Sequence, residues 1–320
     1  MVFVFRNLFL SCLILLLLSV TAGAREHLAS GDDVFSPTVR QPVNLYDSFQ
    51  FDEESAPLIR TGLYVAAPSF FLLYGVTTWG WEVDEGFTWN PENFQGRHAV
   101  HGGADKFGHL YSAYVLKRLA SFFFRASGSS ALAGNVEGVV FSELIMLGSE
   151  IGDGFSPEYG FDPYDFLFNN IGIVIAFILD CSPTLDRIFS VQFEYVPSRE
   201  MREDFELGKN HDLPTDYGGT KYILTTKLAG IPYVSLTPLR YVNVDIAYYA
   251  RGFDQRFERM KTKNVHLGIS FNYAIAFGDL LPVGYTSSSI QTFFNYIHLP
   301  WDYEARRWKI SEAPNENYEE

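Results

Sequence analysis

Between Asp105 and Gly172 the chain sets its polar residues on segments that are otherwise apolar and helix-like in spacing. The run reads Asp105-Lys106-Phe107-Gly108-His109, then Glu143 and Glu150, then Asp153-Gly154-Phe155-Ser156, then Asp165, Asn169 and Gly172. Ionisable groups on apolar helices are costly to bury unless they pair, bind a ligand or face a wet cavity. That cost makes the cluster the best functional lead in the chain.

The segments themselves follow from punctuation and period. Thr61 to Trp81 carries no charged residue and ends on Trp79 and Trp81, which predicts a buried or lipid-facing helix, kinked at Pro68. Residues 82–103 read as a loop. A second helix is expected from Ala104 to Arg125, with Lys117-Arg118 interrupting its apolar face. A Gly/Ser break at 127–130 precedes a third, Ala131 to Ile151. Pro163 suits the first turn of a fourth, which Asp180-Cys181-Ser182-Pro183 ends.

From about Val191 the period changes to two. Val191, Phe193 and Tyr195 alternate, as do Tyr222, Leu224, Thr226 and Leu228, then Val242, Val244, Ile246 and Tyr248. The longest alternation runs from Val265 to Phe277, Ile290 to His298 suggests a last strand, and Arg256 to Lys263 suits a hairpin loop. About five strands are too few to close a lipid-spanning barrel. The expected architecture is α+β: an N-terminal membrane-associated four-helix bundle at 57–185, followed by an antiparallel β-sheet at 186–302. A charged tail, 303–320, is expected to be disordered.

The N-terminus has the form of a secretory signal over residues 1–24, with Arg6 before an apolar run and Ala22-Gly23-Ala24 as a cleavage site; an uncleaved anchor is the alternative. Cys12 stands early and lacks a good small-residue lipobox before it, which leaves lipoprotein processing as the lesser alternative. Residues 25–56 read as an exposed polar arm. Removal of the signal leaves Cys181 alone, so no intrachain disulfide can form. A net charge of −14 argues against nucleic acid. With 29 Phe and 19 Tyr at a near-neutral mean hydropathy, the composition points to membrane association and a lipid partner.

Each candidate residue has a structural reading beside its functional one. Asp105 and His109 are neighbours on one helix face, where Asp105 could orient His109 as base or metal ligand, or simply bond it. Lys106 points elsewhere, toward an interface or a carboxylate of another helix. Glu143 and Glu150 share a face; Asp153, near the helix end, needs a partner against the dipole or else only closes a turn with Ser156. Asp165 could cap the fourth helix, Asn169 needs a partner if buried, and Gly172 suits a close helix approach. Catalytic roles therefore fall to His109, Asp105, Glu143, Glu150, Asp153 and Asp165, with Lys106, Asn169, Ser156 and Gly172 as binding or network residues. Carboxylates with one imidazole could hold a divalent metal, although no recognised ligand spacing is present. No nucleophile elbow, zinc-protease motif or phosphate loop occurs.

In this order the motifs Asp105-Lys106-x-x-His109, a helical Glu, Asp153-Gly154-Phe155-Ser156, Gly160-Phe161 and Asp165-x-x-x-Asn169-x-x-Gly172 resemble the YfiM-like family of bacterial envelope proteins. The skeleton is also distantly similar to VanZ-like membrane proteins. The resemblance covers roughly residues 57–180, implies an envelope location and brings no established reaction. Two functions stay open: an envelope protein acting on or binding a lipid or cell-wall precursor, with the outer membrane favoured, and a non-catalytic one whose polar cluster fixes helix packing.

Overall fold

The computed structural model describes residues 50–81, 86–92, 99, 101–157, 159–207, 216–253, 255–281 and 285–318. The expected signal, most of the polar arm and part of the 82–103 loop lie outside the described residues. Among the described residues the architecture is α+β, with eight helices and a five-stranded antiparallel sheet.

Helix α1 is continuous through Ser55–Thr61, a π-helical turn at Gly62–Ala66, and Ala67–Thr78. Pro68 sits at the start of the last segment. The widened turn just before it accommodates a residue that cannot donate to the preceding carbonyls. Helix α2 spans Ala104–Ala126, α3 Ala131–Gly154 and α4 Pro163–Cys181. Their boundaries follow local chemistry: Gly103, at φ 81°, opens α2; Ser130 caps α3 by accepting from Ala133 N; Asp162 caps α4 by accepting from Tyr164 N at 2.8 Å.

Helix α2 is the pivot. Exposed only at Ser112 along its length, it packs against α3 and α4 and, near its N-terminus, against the sheet. It is therefore shared between helices and sheet, which a free-standing bundle would not require. Gly172 permits this packing: a Cβ there would lie 2.1 Å from the Leu110 carbonyl oxygen.

After the short helix α5 (Pro183–Ile188) come β1 (Phe189–Tyr195), helix α6 (Arg199–Glu206), β2 (Thr220–Lys227), β3 (Val242–Arg251) and β4 (Met260–Phe271). Helices α7 (Tyr273–Leu280) and α8 (Tyr285–Tyr296) precede β5 (Tyr303–Pro314), and the strands lie in sequence order. Part of the apolar face meets α2, where Phe107 stacks on Tyr248 at 4.5 Å and Tyr111 on Phe193 at 5.3 Å.

Three expectations are corrected here. The alternation from Tyr273 to Phe277 is helix, because Asn272 accepts from Ile275 N and starts α7. Ile290 to Tyr296 is helix as well. The charged tail is not disordered over Tyr303–Pro314, which forms the outer strand of the sheet, paired with β4. Its charges suit that position, since an edge strand studded with Lys, Arg and Glu resists pairing with another chain. In addition, strand β4 starts at Met260, inside the segment expected as a hairpin loop.

Candidate functional site

The N-terminal end of α2, the C-terminal end of α3 and the start of α4 meet at one ionic centre. Lys106, almost wholly buried, reaches Asp162 Oδ2 at 2.6 Å, Asp105 Oδ2 at 2.7 Å and Asp165 Oδ1 at 2.9 Å, with Glu92 at 3.6 Å. Burial disfavours the ammonium, but the surrounding carboxylates overcome that cost and hold the Lys106 pKa above its ordinary value.

His109 lies one turn along α2. Its Nδ1 is 3.2 Å from Glu150 Oε1 and 3.3 Å from Asn169 Oδ1, and its Nε2 is 3.6 Å from Asp165 Oδ1. Asn169 Nδ2 donates to Glu150 Oε1 at 2.8 Å, so these two side chains, each 1 % exposed, form a fixed floor beneath the imidazole. Burial opposes a charged ring, yet Asp165 and Glu150 outweigh it and the His109 pKa rises to about 9. That direction favours the imidazolium form, in which both ring nitrogens donate. Its side chain keeps 24 % of its surface exposed, the most open of the centre's two cations.

The expected residues thus divide. Lys106, His109, Glu150, Asp165 and Asn169 converge, and Gly172 brings α2 and α4 together. Asp105 belongs to the centre through Lys106 and does not orient His109. Asp165 does not cap α4; the preceding Asp162 does, freeing Asp165 to face Lys106 and His109. Asp153 finds its partner in Trp81, whose indole N–H donates to Oδ1 at 2.9 Å. The same indole ring fills the space left by Gly75 and Gly152, locking α1 on α3. Ser156 donates to the Trp79 carbonyl at 3.2 Å. Glu143 stands apart, accepting from Asn170 Nδ2 at 3.4 Å.

Two features were not anticipated. Asp162 stands before Pro163, a helix-opening position that signals a cap, but its second oxygen serving Lys106 has no local sequence sign. Lys117 and Arg118, which seemed to interrupt an apolar face, are buried: Lys117 meets Asp180 at 2.8 Å, and Arg118 meets Asp180 at 3.1 Å and Asp186 at 2.6 Å. Among the described residues no group of three or more His, Cys, Asp or Glu side chains is arranged to hold a metal ion. The carboxylates nearest His109 and Lys106 are instead turned onto those cations.

The exposed positions of α3 and α4 are apolar by contrast. Leu132, Val136, Val140 and Leu144 make an outward stripe along α3, each 46–66 % exposed, and Leu167, Ile171, Val174 and Ile178 make another along α4. Segments Ser55–Thr77, Ala131–Gly154 and Pro163–Cys181 are long and apolar enough to cross a membrane. An aromatic cluster gathers at the ionic end: Phe87, Trp89, Phe155 and Phe161 pack with ring centroids 4.8 to 5.9 Å apart, and Trp89 is largely exposed.

A family model described as predicted periplasmic lipoprotein (DUF2279) matches residues 91–181. That span takes in α2, α3, α4 and every residue of the ionic centre, and it supports an exported envelope protein carrying a bacterial envelope domain. No curated protein and no solved structure matches the chain.

Proposed function

We propose that this is a cell-envelope protein seated in lipid by the outer faces of α1, α3 and α4. In this reading the Lys106–His109 centre, just inside that face, receives the polar head of a membrane lipid or lipid-linked cell-wall precursor through His109. The observation that carries the reading is a charge-rich centre lying behind outward stripes that carry no charge. Large exposed apolar surfaces mark contacts with partners or membranes. The aromatic cluster lies at the same end of the helices as the centre, and Trp rings of this kind favour the headgroup level of a bilayer.

The chemistry supports binding in preference to turnover. The imidazolium donates hydrogen bonds, while Lys106 is already committed to three carboxylates. Five carboxylates, Asp105, Asp162, Asp165, Glu150 and Glu92, surround these two cations, so the centre is acidic overall and suits a headgroup bearing hydroxyls or an amine. A bare diphosphate would be repelled. The motif resemblance to YfiM-like and, more distantly, VanZ-like proteins agrees with this placement, and the signal-like N-terminus with aromatic strands favours the outer membrane.

Lipid co-purification tests the proposal. The full-length protein should stay with membranes through carbonate washing and carry lipid identifiable by mass spectrometry. His109→Ala should keep the membrane location while losing most of the selectively bound lipid. Protein recovered in the wash without lipid would overturn the membrane seat; unchanged lipid in His109→Ala would overturn the role of the centre.

The second reading, a centre that only fixes helix register, draws on the Lys106 clamp, which is saturated and nearly sealed. It predicts lowered stability in His109→Ala with no change in bound lipid.

A further inference from the structure

The sheet has a second polar side, far from the helices' ionic centre in sequence and independent of the reading above. Gln192, Thr225, Asp245 and His266 point away from the apolar face and are buried. Here His298 lies 3.0 Å from Glu194 and 3.7 Å from Asp245, so its charge is answered by two carboxylates. Lys227 differs. It is 8 % exposed, and among the described residues its ammonium meets neutral oxygens: the Asp186 carbonyl at 2.7 Å and Asn295 Oδ1 at 3.1 Å. The Asp186 carboxylate is engaged by Arg118.

A cation removed from water without a facing anion is costly. Burial accordingly pushes the Lys227 pKa down to about 8, although Asp186 at longer range favours the charge. An ammonium has three hydrogens, and two are used. The third is available to a small cleft of about 10 Å³, partly open to solvent, between the sheet and helices α7 and α8. Lys227 and its cross-strand partner Asn243 line one wall, and Asn272 and His298 line it as well, with Phe271 and Phe294 beside them. Among the described residues, Asn272 Nδ2 and His298 Nε2 are buried and make no hydrogen bond, and both residues are more than nine-tenths buried. A buried amide donor and an ammonium hydrogen therefore line one small cleft, while His298 Nε2 faces Asp245 Oδ2 at 3.7 Å. Asn243 Oδ1 is an unpaired acceptor in the same cleft and could take a hydroxyl or a water beside the ligand.

We propose that this cleft binds one small anionic group, a halide or a single carboxylate, held by Lys227 Nζ and Asn272 Nδ2. Charge-assisted bonds of this type are the strong ones, and the anion would supply the counter-charge that Lys227 lacks. Asn272 offers an unusually clean test. Its Oδ1 caps α7 by accepting from Ile275 N at 3.1 Å, a role that aspartate also performs. Asn272→Asp thus preserves the cap, removes the donor and places a fixed carboxylate beside Lys227.

The probe is chloride, followed by ³⁵Cl line broadening on the purified full chain, with acetate as competitor. Wild type should show a saturable broadening that acetate reverses if carboxylates share the site and that persists if the site takes halides alone; either supports the proposal. Asn272→Asp and Lys227→Met should each lose the saturable component, and Asn272→Asp should melt at or above the wild-type temperature in chloride-free buffer. If Lys227→Met does not fold, Asn272→Asp decides alone. Absence of saturable broadening in wild type, or full retention of it in Asn272→Asp, would overturn the proposal.

Discussion

Lys106 shows how one side chain can organise several helices. Its three short carboxylate contacts come from α2 itself, from the α4 cap and from the first turn of α4, so removing the ammonium leaves Asp105 and Asp162 buried without an answering charge and Asp165 with His109 alone. Lys106→Met should cost roughly 3–5 kcal/mol in chemical unfolding, the penalty typical of breaking a buried pair; a loss under 1 kcal/mol would mean the clamp is not structural. His109 makes a pH prediction. Its pKa of about 9 in the folded chain lies above the ordinary 6.5, so proton binding favours the fold. That contribution is complete below about pH 6.5 and disappears as pH rises through 9. Melting temperatures taken between pH 6 and 10 should therefore fall toward the alkaline end in wild type, and the fall should be shallower in His109→Gln. Parallel curves would remove the charged imidazole from the account.

At the scale of elements, the outer stripe of α3 carries the membrane argument. The four residues Leu132, Val136, Val140 and Leu144 recur every fourth position and lean outward, while Phe141 and Ile145 of the same helix are buried. Changing all four to Ser should leave the circular dichroism spectrum close to wild type and sharply reduce recovery with membranes; retention on membranes would shift the anchor elsewhere. Strand β5 gives a second prediction. Were residues 303–320 a free tail, truncation after Asp302 would be harmless. Because Tyr303–Pro314 pairs along β4, the truncated chain should expose the β4 edge and aggregate on concentration, as judged by light scattering. The expectation of a disordered tail failed because charge density on an edge strand and charge density in a disordered segment look alike in a sequence.

For the whole molecule, α2 is the common wall. One side supports the helical layer and its ionic centre, while the N-terminal end meets the aromatic side of the sheet through Phe107 and Tyr111. The sheet turns its other face to a separate polar interior with Glu194, Asp245, His266 and His298. That face was missed because the strands were read for their apolar half; the signal was present in Thr225, Asp245 and His266, one from each of three neighbouring strands. The antiparallel order β1-β2-β3-β4-β5, read through its pairing register, is what sets the Asp245 and His266 positions on the same side as Thr225.

Local patterns were sufficient for the helices from 104 to 181, the change to strands near 190, and the identity of most polar residues that would need partners, because periodicity and capping act over a few residues. Partnership was not legible. The cap taken by Asp162 before Pro163 was a local signal that went unread, whereas Asp105 meeting Lys106 and not His109, and Glu143 standing outside, depend on the angle at which α2 crosses α3 and α4. That angle is set by contacts between distant positions, such as the Gly172 backbone against Leu110 and the Trp81 ring against Gly152. Ion pairs form where packing brings charges together, and packing is a property of the assembled chain.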